Sequence, residues 1–312
     1  MIIYYDNGSH PLLRECFRAS GADFTPLKHG FTDHLKESNI RFMPQNRRNP
    51  VRLVYRKLKS FLPRSMIFTT PEPDQQDDKL IVFDSGATAE YLCWLCRRFP
   101  EKRVLLWYWN PVGEDHAFDL FPRRVEIWSY SHTDCERFGF RYNSQFYFDS
   151  LAEEAGKANP VPNSRPQVFF LGRDKGRKQS VLEIRSLLEQ CGADTDFHLM
   201  QDGTQEHRRE EQVLPYGSVI EKIRQSDVLL DITLQENAGL SLRPMEAMFF
   251  GKKLITNQKS IRACDFYRKE NIYILDEDER SLREFLNTPY VPVDPEIRKY
   301  YLMSNWLKRF DQ

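Results

Sequence analysis

Residues 226–258 read SDVLLDITLQENAGLSLRPMEAMFFGKKLITNQ, and this stretch decides the fold. An apolar run, Val228 to Ile232, predicts a buried strand, and a polar, Gly-containing loop follows from Thr233 to Gly239. Pro244 marks the start of a helix and Gly251 its end, since Pro suits the first helical turn and Gly the left-handed residue just beyond the last. A second apolar strand follows at Leu254 to Thr256. Strand, loop, helix, strand is the repeating unit of a parallel α/β sheet. Ligands of such sheets bind outside the carboxyl ends of the strands, where helix N-termini offer unpaired N–H groups. Gly239 permits close backbone approach, so a diphosphate can lie on the amides near Gly239 and Leu240. Glu246, one turn into the helix, offers a carboxylate to a ribose diol.

Working outward, the chain has 312 residues with 45 basic and 45 acidic side chains. That balance argues against a nucleic-acid binder, which carries a basic excess. The length suggests two domains of ordinary size. No run approaches the ~18 apolar residues of a membrane span. The opening MIIYYDNGSH lacks the pattern of a secretory signal. The six scattered cysteines are then expected as reduced thiols in the cytoplasm. Cys93 and Cys96 have a redox-like spacing but fall within a helical pattern with no second pair, which predicts helix cysteines.

Strand patterns recur at residues 1–5, 79–84 (KLIVFD), 103–108 and 125–130, with an apolar strand near Phe146. Helices are expected at 11–19, 87–99 and 133–138. Residues 151–166, rich in Pro and Asn, read as an interdomain connection, giving domains at 1–155 and 156–312. The second opens on the strand QVFFLG at Gln167, followed by a helix at 179–190, a strand at 197–200, a helix at 218–225 and a strand at 271–275. An aromatic-rich helical segment runs from Pro295 to Phe310.

Two further features bear on chemistry. From Asn39 to Phe68 the chain has eight cations and no acid, and Val51, Val54, Tyr55, Leu58 and Leu62 recur at helical spacing. This is either a helix that docks residues 41–64 on an anionic membrane surface or lipid-linked acceptor, or one that packs its apolar stripe on the core. Gly172-Arg173-Asp174-Lys175-Gly176-Arg177-Lys178 sets four cations around two glycines between a strand and a helix. Such a turn can stabilise a diphosphate leaving group without a metal, or be a solvated basic turn. It is neither the dinucleotide fingerprint nor a phosphate loop of nucleoside triphosphatases. Arg243, before the Pro244 helix start, is a further phosphate candidate. Asp227, Asp231 and the acidic run 276–279 are the candidates for a metal, or plain acidic turns.

The segment Gly239-Leu240, Glu246-Ala247-Met248 and Gly251-Lys252 resembles the donor-nucleotide motif of glycosyltransferases of the GT-B class, particularly those of bacterial lipopolysaccharide and capsule biosynthesis. YWNP at 108–111 and residues 127–148 resemble the first half of the same family. The resemblance implies two Rossmann-like domains facing across a cleft, with a C-terminal helix returning to the first. It implies a nucleotide-sugar donor as substrate, a glycan or lipid-linked glycan acceptor, and no metal or other cofactor. Glu246 would hold the ribose, and Gly172, Arg173, Lys175 and Arg177 the diphosphate. Tyr216 would border the base, or be a loop tyrosine of the core. The family's first Glu, eight residues before the second, is absent: Ala238 stands there and Glu236 two residues earlier, so which residue holds the sugar stays open, and Glu236 is a candidate catalytic residue. Asp115 and His116, after a strand end, are candidates for an acceptor-side base. The expectation is sugar transfer with retained configuration at a membrane face. The alternatives are a nucleotide-sugar epimerase and a glycan-binding homologue without catalysis.

Overall fold

The computed structural model describes residues 1–5, 16–17, 24–27, 71–84, 87–110, 112, 118–156, 163–201, 214–233, 239–277 and 281–312. The chain divides into two compact units, Met1–Ser9 with Ala22–Trp128, and His10–Gly21 with Ser129–Gln312. Asp149–Gly156, at the start of the expected connection, is helical, and 157–162 lie outside the described residues.

The first sheet contains β1 (Ile2–Tyr5), β2 (Phe24–Leu27), β3 (Lys79–Phe83), β4 (Arg103–Tyr108), β5 (Val125–Ser129) and β6 (Arg141–Tyr142), in the order β2-β1-β3-β4-β5-β6. β1 pairs with β2 and β3, and β3 with β4, all in parallel. β3 and β4 are buried at nearly every position, as expected of strands covered on both faces. Helix α1 (Ala89–Arg98) starts at Thr88, whose hydroxyl accepts from Tyr91 N. At its far end the Arg124 guanidinium donates to the carbonyls of Cys96, Pro100 and Lys102, satisfying acceptors that the helix end leaves over. Cys93 and Cys96 sit within α1 as unpaired thiols.

The second sheet contains β7 (Gln167–Arg173), β8 (Asp194–Met200), β9 (Val228–Asp231), β10 (Lys253–Thr256) and β11 (Ile272–Ile274), in the order β11-β10-β9-β7-β8. All four pairings are parallel. Helices α2 (His132–Phe138) and α3 (Asp149–Gly156) precede this sheet in the chain, and α4 (Lys178–Gln190), α5 (Tyr216–Gln225), α6 (Leu242–Phe250) and α7 (Leu282–Asn287) connect its strands or follow them. The core joins Val168, Phe170, Val228 and Leu230 of the sheet to Val181 and Leu188 of α4 and to Phe285 of α7. Burying each such side chain stabilises by about 1.5–3 kcal/mol.

Two buried lysines brace this unit. Lys253 Nζ donates to the carbonyls of Phe285, Leu286 and Thr288 at 2.7–2.8 Å, and Lys252 Nζ to that of Arg224 at 2.8 Å. Both close the carboxyl end of a helix, α7 and α5 respectively, where cations are favoured. The Gly251-Lys252 part of the sequence motif is therefore structural: Gly251 takes the left-handed cap (φ 62°) and Lys252 ties a neighbouring helix.

Three expectations need correction. Helix α6 begins at Leu242 with Ser241 as its cap, so Pro244 lies within the first turn, where no intrahelical N–H bond is lost. Phe146 is not in a strand; the segment makes a single bridge, Tyr147 to Leu302. Residues 295–310 are two short helices, α8 (Pro295–Tyr300) and α9 (Met303–Lys308), broken where Tyr147 N donates to Tyr301 O and Met303 N to Tyr147 O. The wholly buried Trp306 lies against Phe146, ring centroids 4.4 Å apart, and Phe148 meets Phe17 edge-on. The C-terminal segment thus packs on chain that precedes residue 150. Strand β2 and helix α7 carry no pattern that the sequence reading had used.

Candidate functional site

Within each unit the strands run 2-1-3-4-5 in space, so direction of travel reverses between the first and third strands. In the second unit that point lies between β7 and β9. They pair at Val168↔Val228 and Phe169↔Leu229, after which β7 continues to Arg173 beside β8. Their following loops leave in opposite directions, which opens the crevice where α/β sheets bind ligands.

Arg177 spans this crevice. Its Nε donates to Arg173 O at 2.9 Å, one terminal nitrogen donates to Ile232 O, and the guanidinium lies 5.7 Å from the Phe170 ring centroid. Gly172 makes room for it: a Cβ there would stand 2.6 Å from the guanidinium and 2.8 Å from Phe170. The turn itself has positive φ at Lys175 (45°) and Gly176 (83°). Asp174 holds it closed, its carboxylate accepting from Lys178 N at 2.9 Å and its carbonyl from Arg177 N at 2.8 Å. Lys175 is exposed and Arg173 half-buried.

The facing wall is the amino end of α6. Ser241 Oγ accepts from Arg243 N at 3.1 Å and donates to Asp231, the last residue of β9, at 3.0 Å. Gly239 has φ 82°, and a Cβ there would come within 2.4 Å of the Tyr130 ring, so conformation and space both require glycine. Gln258 Nε2 donates to Gly239 O at 2.5 Å and Gln145 Nε2 to Leu240 O at 3.1 Å. Asn257 exchanges two bonds with the Thr233 backbone, tying the loops after β9 and β10. Carbonyls of residues 239 and 240 are thereby turned away and fixed.

Behind this wall lies a charged cluster. Glu246 is 2% exposed; Arg243 donates to one carboxylate oxygen at 2.5 Å and Tyr216 Oη to the other at 2.8 Å. Arg243 also lies 5.5 Å from the Phe169 ring centroid. Burial pushes the Glu246 carboxyl up, with Arg243 and Tyr216 opposing. Asp231 is likewise raised by burial, opposed by Arg243, Ser241 and Arg177. Burial and the Glu246 charge hold the hydroxyls of Tyr216 and Tyr147 well above the usual tyrosine range. Two half-buried arginines thus offset two buried carboxylates at the crevice, as buried charge requires.

Of the residues named from sequence, Gly172, Arg173, Lys175 and Arg177 form one wall, and Gly239, Leu240, Arg243 and Glu246 the other. Tyr216 joins through Glu246. Arg177 of the first wall bonds to the Ile232 carbonyl just after β9, and Arg177 and Arg243 both act on Asp231. Glu236, Asp115 and His116 lie outside the described residues, as do 41–64. Sequence reading gave no part in this site to Tyr130, Gln145, Ser241 or Gln258. Ser241 carries a readable signal, a Ser just before a helix. Gln145 lies 95 positions from Leu240 and has none. Among the described residues no group of three or more metal-ligating side chains occurs, and no helix is long and apolar enough to cross a membrane.

Neither a protein-family model nor a curated protein matches this chain. Among solved structures, it is similar to a chain of the GtfA/B complex, with a TM-score of 0.42 and 12% identity over 84% of this chain and 59% of that one. It is also similar to the catalytic domain of starch synthase IV from Arabidopsis thaliana bound to ADP and acarbose, with a TM-score of 0.36 and 13% identity over 75% and 65%. The chain thus spans about three fifths to two thirds of the length of these structures.

Proposed function

We propose that the chain is a glycosyltransferase of the GT-B class that takes its donor, a nucleotide sugar, at the crevice between β7 and β9. The observation that carries this reading is that Arg177, bonded to the Ile232 carbonyl, and Arg243, paired with Glu246, both act on Asp231 where the strand order of the second sheet reverses. The motif resemblance around Gly239 and Glu246 supports it independently.

On this reading the diphosphate lies against the amides that begin α6 and the cations of the 173–177 turn. These are preorganised, so they stabilise the charge that develops on the leaving nucleoside diphosphate without reorganising. Each Glu246 oxygen keeps a second lone pair, and a ribose hydroxyl binds there as Arg243 swings toward the phosphates. The acceptor hydroxyl attacks the anomeric carbon, the bond to the diphosphate oxygen breaks, and the acceptor proton passes to the leaving group or to Glu236, Asp115 or His116. Retention of configuration, a lipopolysaccharide or capsule acceptor, and contact of 41–64 with the inner membrane face belong to the same proposal, from the resemblance alone.

The test is incubation with UDP-, GDP- and ADP-sugars, alone and with lipid-linked acceptors, reading thermal shift and released nucleoside diphosphate. Release that depends on acceptor supports transfer. Interconversion of the donor alone indicates an epimerase, and binding of a glycan without any nucleotide indicates the non-catalytic homologue.

A further inference from the structure

The donor site proposed above sets two buried carboxylates, Asp231 and Glu246, beside two half-buried arginines, Arg177 and Arg243. Asp231 ends β9 with 9% exposure, in a crevice meant for an anion. Its surroundings come from two elements: Arg177 from the turn after β7, and Ser241 and Arg243 from the start of α6, with Glu246 beyond Arg243. Only the Ser241 hydroxyl bond has a structural use, and an Asn side chain would accept it equally well. A carboxylate in that place opposes anion binding by direct repulsion and by offsetting part of the arginines' positive field.

Resting on that reading, we propose that Asp231 is a specificity-determining residue that limits how much charge the bound anion can carry. The ligand it admits is the diphosphate diester of a nucleotide sugar, with two charges. The ligand it disfavours is the free nucleoside diphosphate, whose terminal phosphate adds a further charge with a pKa near 6. The substrate is retained while the product, which gains that charge when the sugar leaves, is expelled. The opposite arrangement, a crevice of uncompensated arginines, would hold the product most tightly.

The experiment compares the full chain with Asp231→Asn at pH 6.5 and 8.5, by titration calorimetry with UDP and UDP-glucose, GDP and GDP-mannose, and ADP and ADP-glucose. For the base that binds, the wild type is expected to prefer the sugar-bearing member. Its affinity for the free diphosphate should fall about tenfold from pH 6.5 to 8.5. Asp231→Asn is expected to tighten the free diphosphate about tenfold at pH 8.5 and to change the nucleotide sugar less than threefold. An unchanged ratio between the two ligands, or equal weakening of both, overturns the inference while leaving the donor site standing. Failure of the wild type to bind any of the six removes the site itself, and this inference with it. Should the variant not fold, wild-type titrations in phosphate and in Tris decide: more protons are taken up with the free diphosphate than with the sugar diester, and equal uptake contradicts the proposal.

Discussion

The two sheets repeat one strand order and place an aspartate at the same point, yet they present different chemistry there. Asp84 follows the third strand of the first unit, and Asp231 ends the third strand of the second. Asp84 accepts from Trp109 N at 3.1 Å and Asn110 Nδ2 at 3.0 Å, joining two loops. Asp231 faces Ser241, Arg243 and Arg177. Topology thus supplies the crevice twice, and side chains decide which anion or sugar fits it. An amide- and carboxylate-rich end suits hydroxyl groups; an arginine-rich end suits phosphate.

Substitutions can break this contrast, and Gly239→Ala is expected to act most strongly. It requires a left-handed alanine and pushes into Tyr130, costing roughly 2–4 kcal/mol of stability and abolishing nucleotide binding; denaturant melts and calorimetry read both. Arg177→Ala comes next. It leaves the Ile232 carbonyl without its bond and removes a cation, for about 1–3 kcal/mol of stability and at least a tenfold loss of nucleotide affinity. Glu246→Gln sharpens the contrast through pH. Because burial raises the folded carboxyl above the ordinary glutamate value, its stabilising effect is complete below that value and is lost as pH rises through the folded value. Wild-type stability should fall across that window, and the variant should be flatter. Asp84→Asn is expected to do least, changing nucleotide affinity less than twofold while lowering stability by about 1 kcal/mol. A large loss of nucleotide binding there would erase the distinction between the two sheets.

Much of this was legible in the sequence where the signal was local. The β9–α6–β10 unit follows from an apolar run, a capped helix and Gly251, and the basic turn at 172–178 announces itself by composition. The sheet's strand order did not, because parallel pairing joins segments far apart in sequence. Nor did the inward role of Glu246: the sequence shows a carboxylate one turn into a helix, but not that Tyr216 and Arg243 already hold it. Lys252 and Lys253 are buried helix caps, a role that only three-dimensional neighbours produce. The aromatic segment at 295–310 has helical periodicity throughout, and its break is imposed by backbone bonds to Tyr147.

The central claim is that nucleotide binding belongs to the β7/β9 crevice. Hydrogen exchange of the backbone amides, with and without a nucleotide sugar that shifts the melting temperature, tests it most directly. Slowed exchange in both 172–178 and 239–246, with 84–110 unchanged, is the expected result. Slowed exchange confined to 84–110, or in only one of the two second-unit segments, would contradict it.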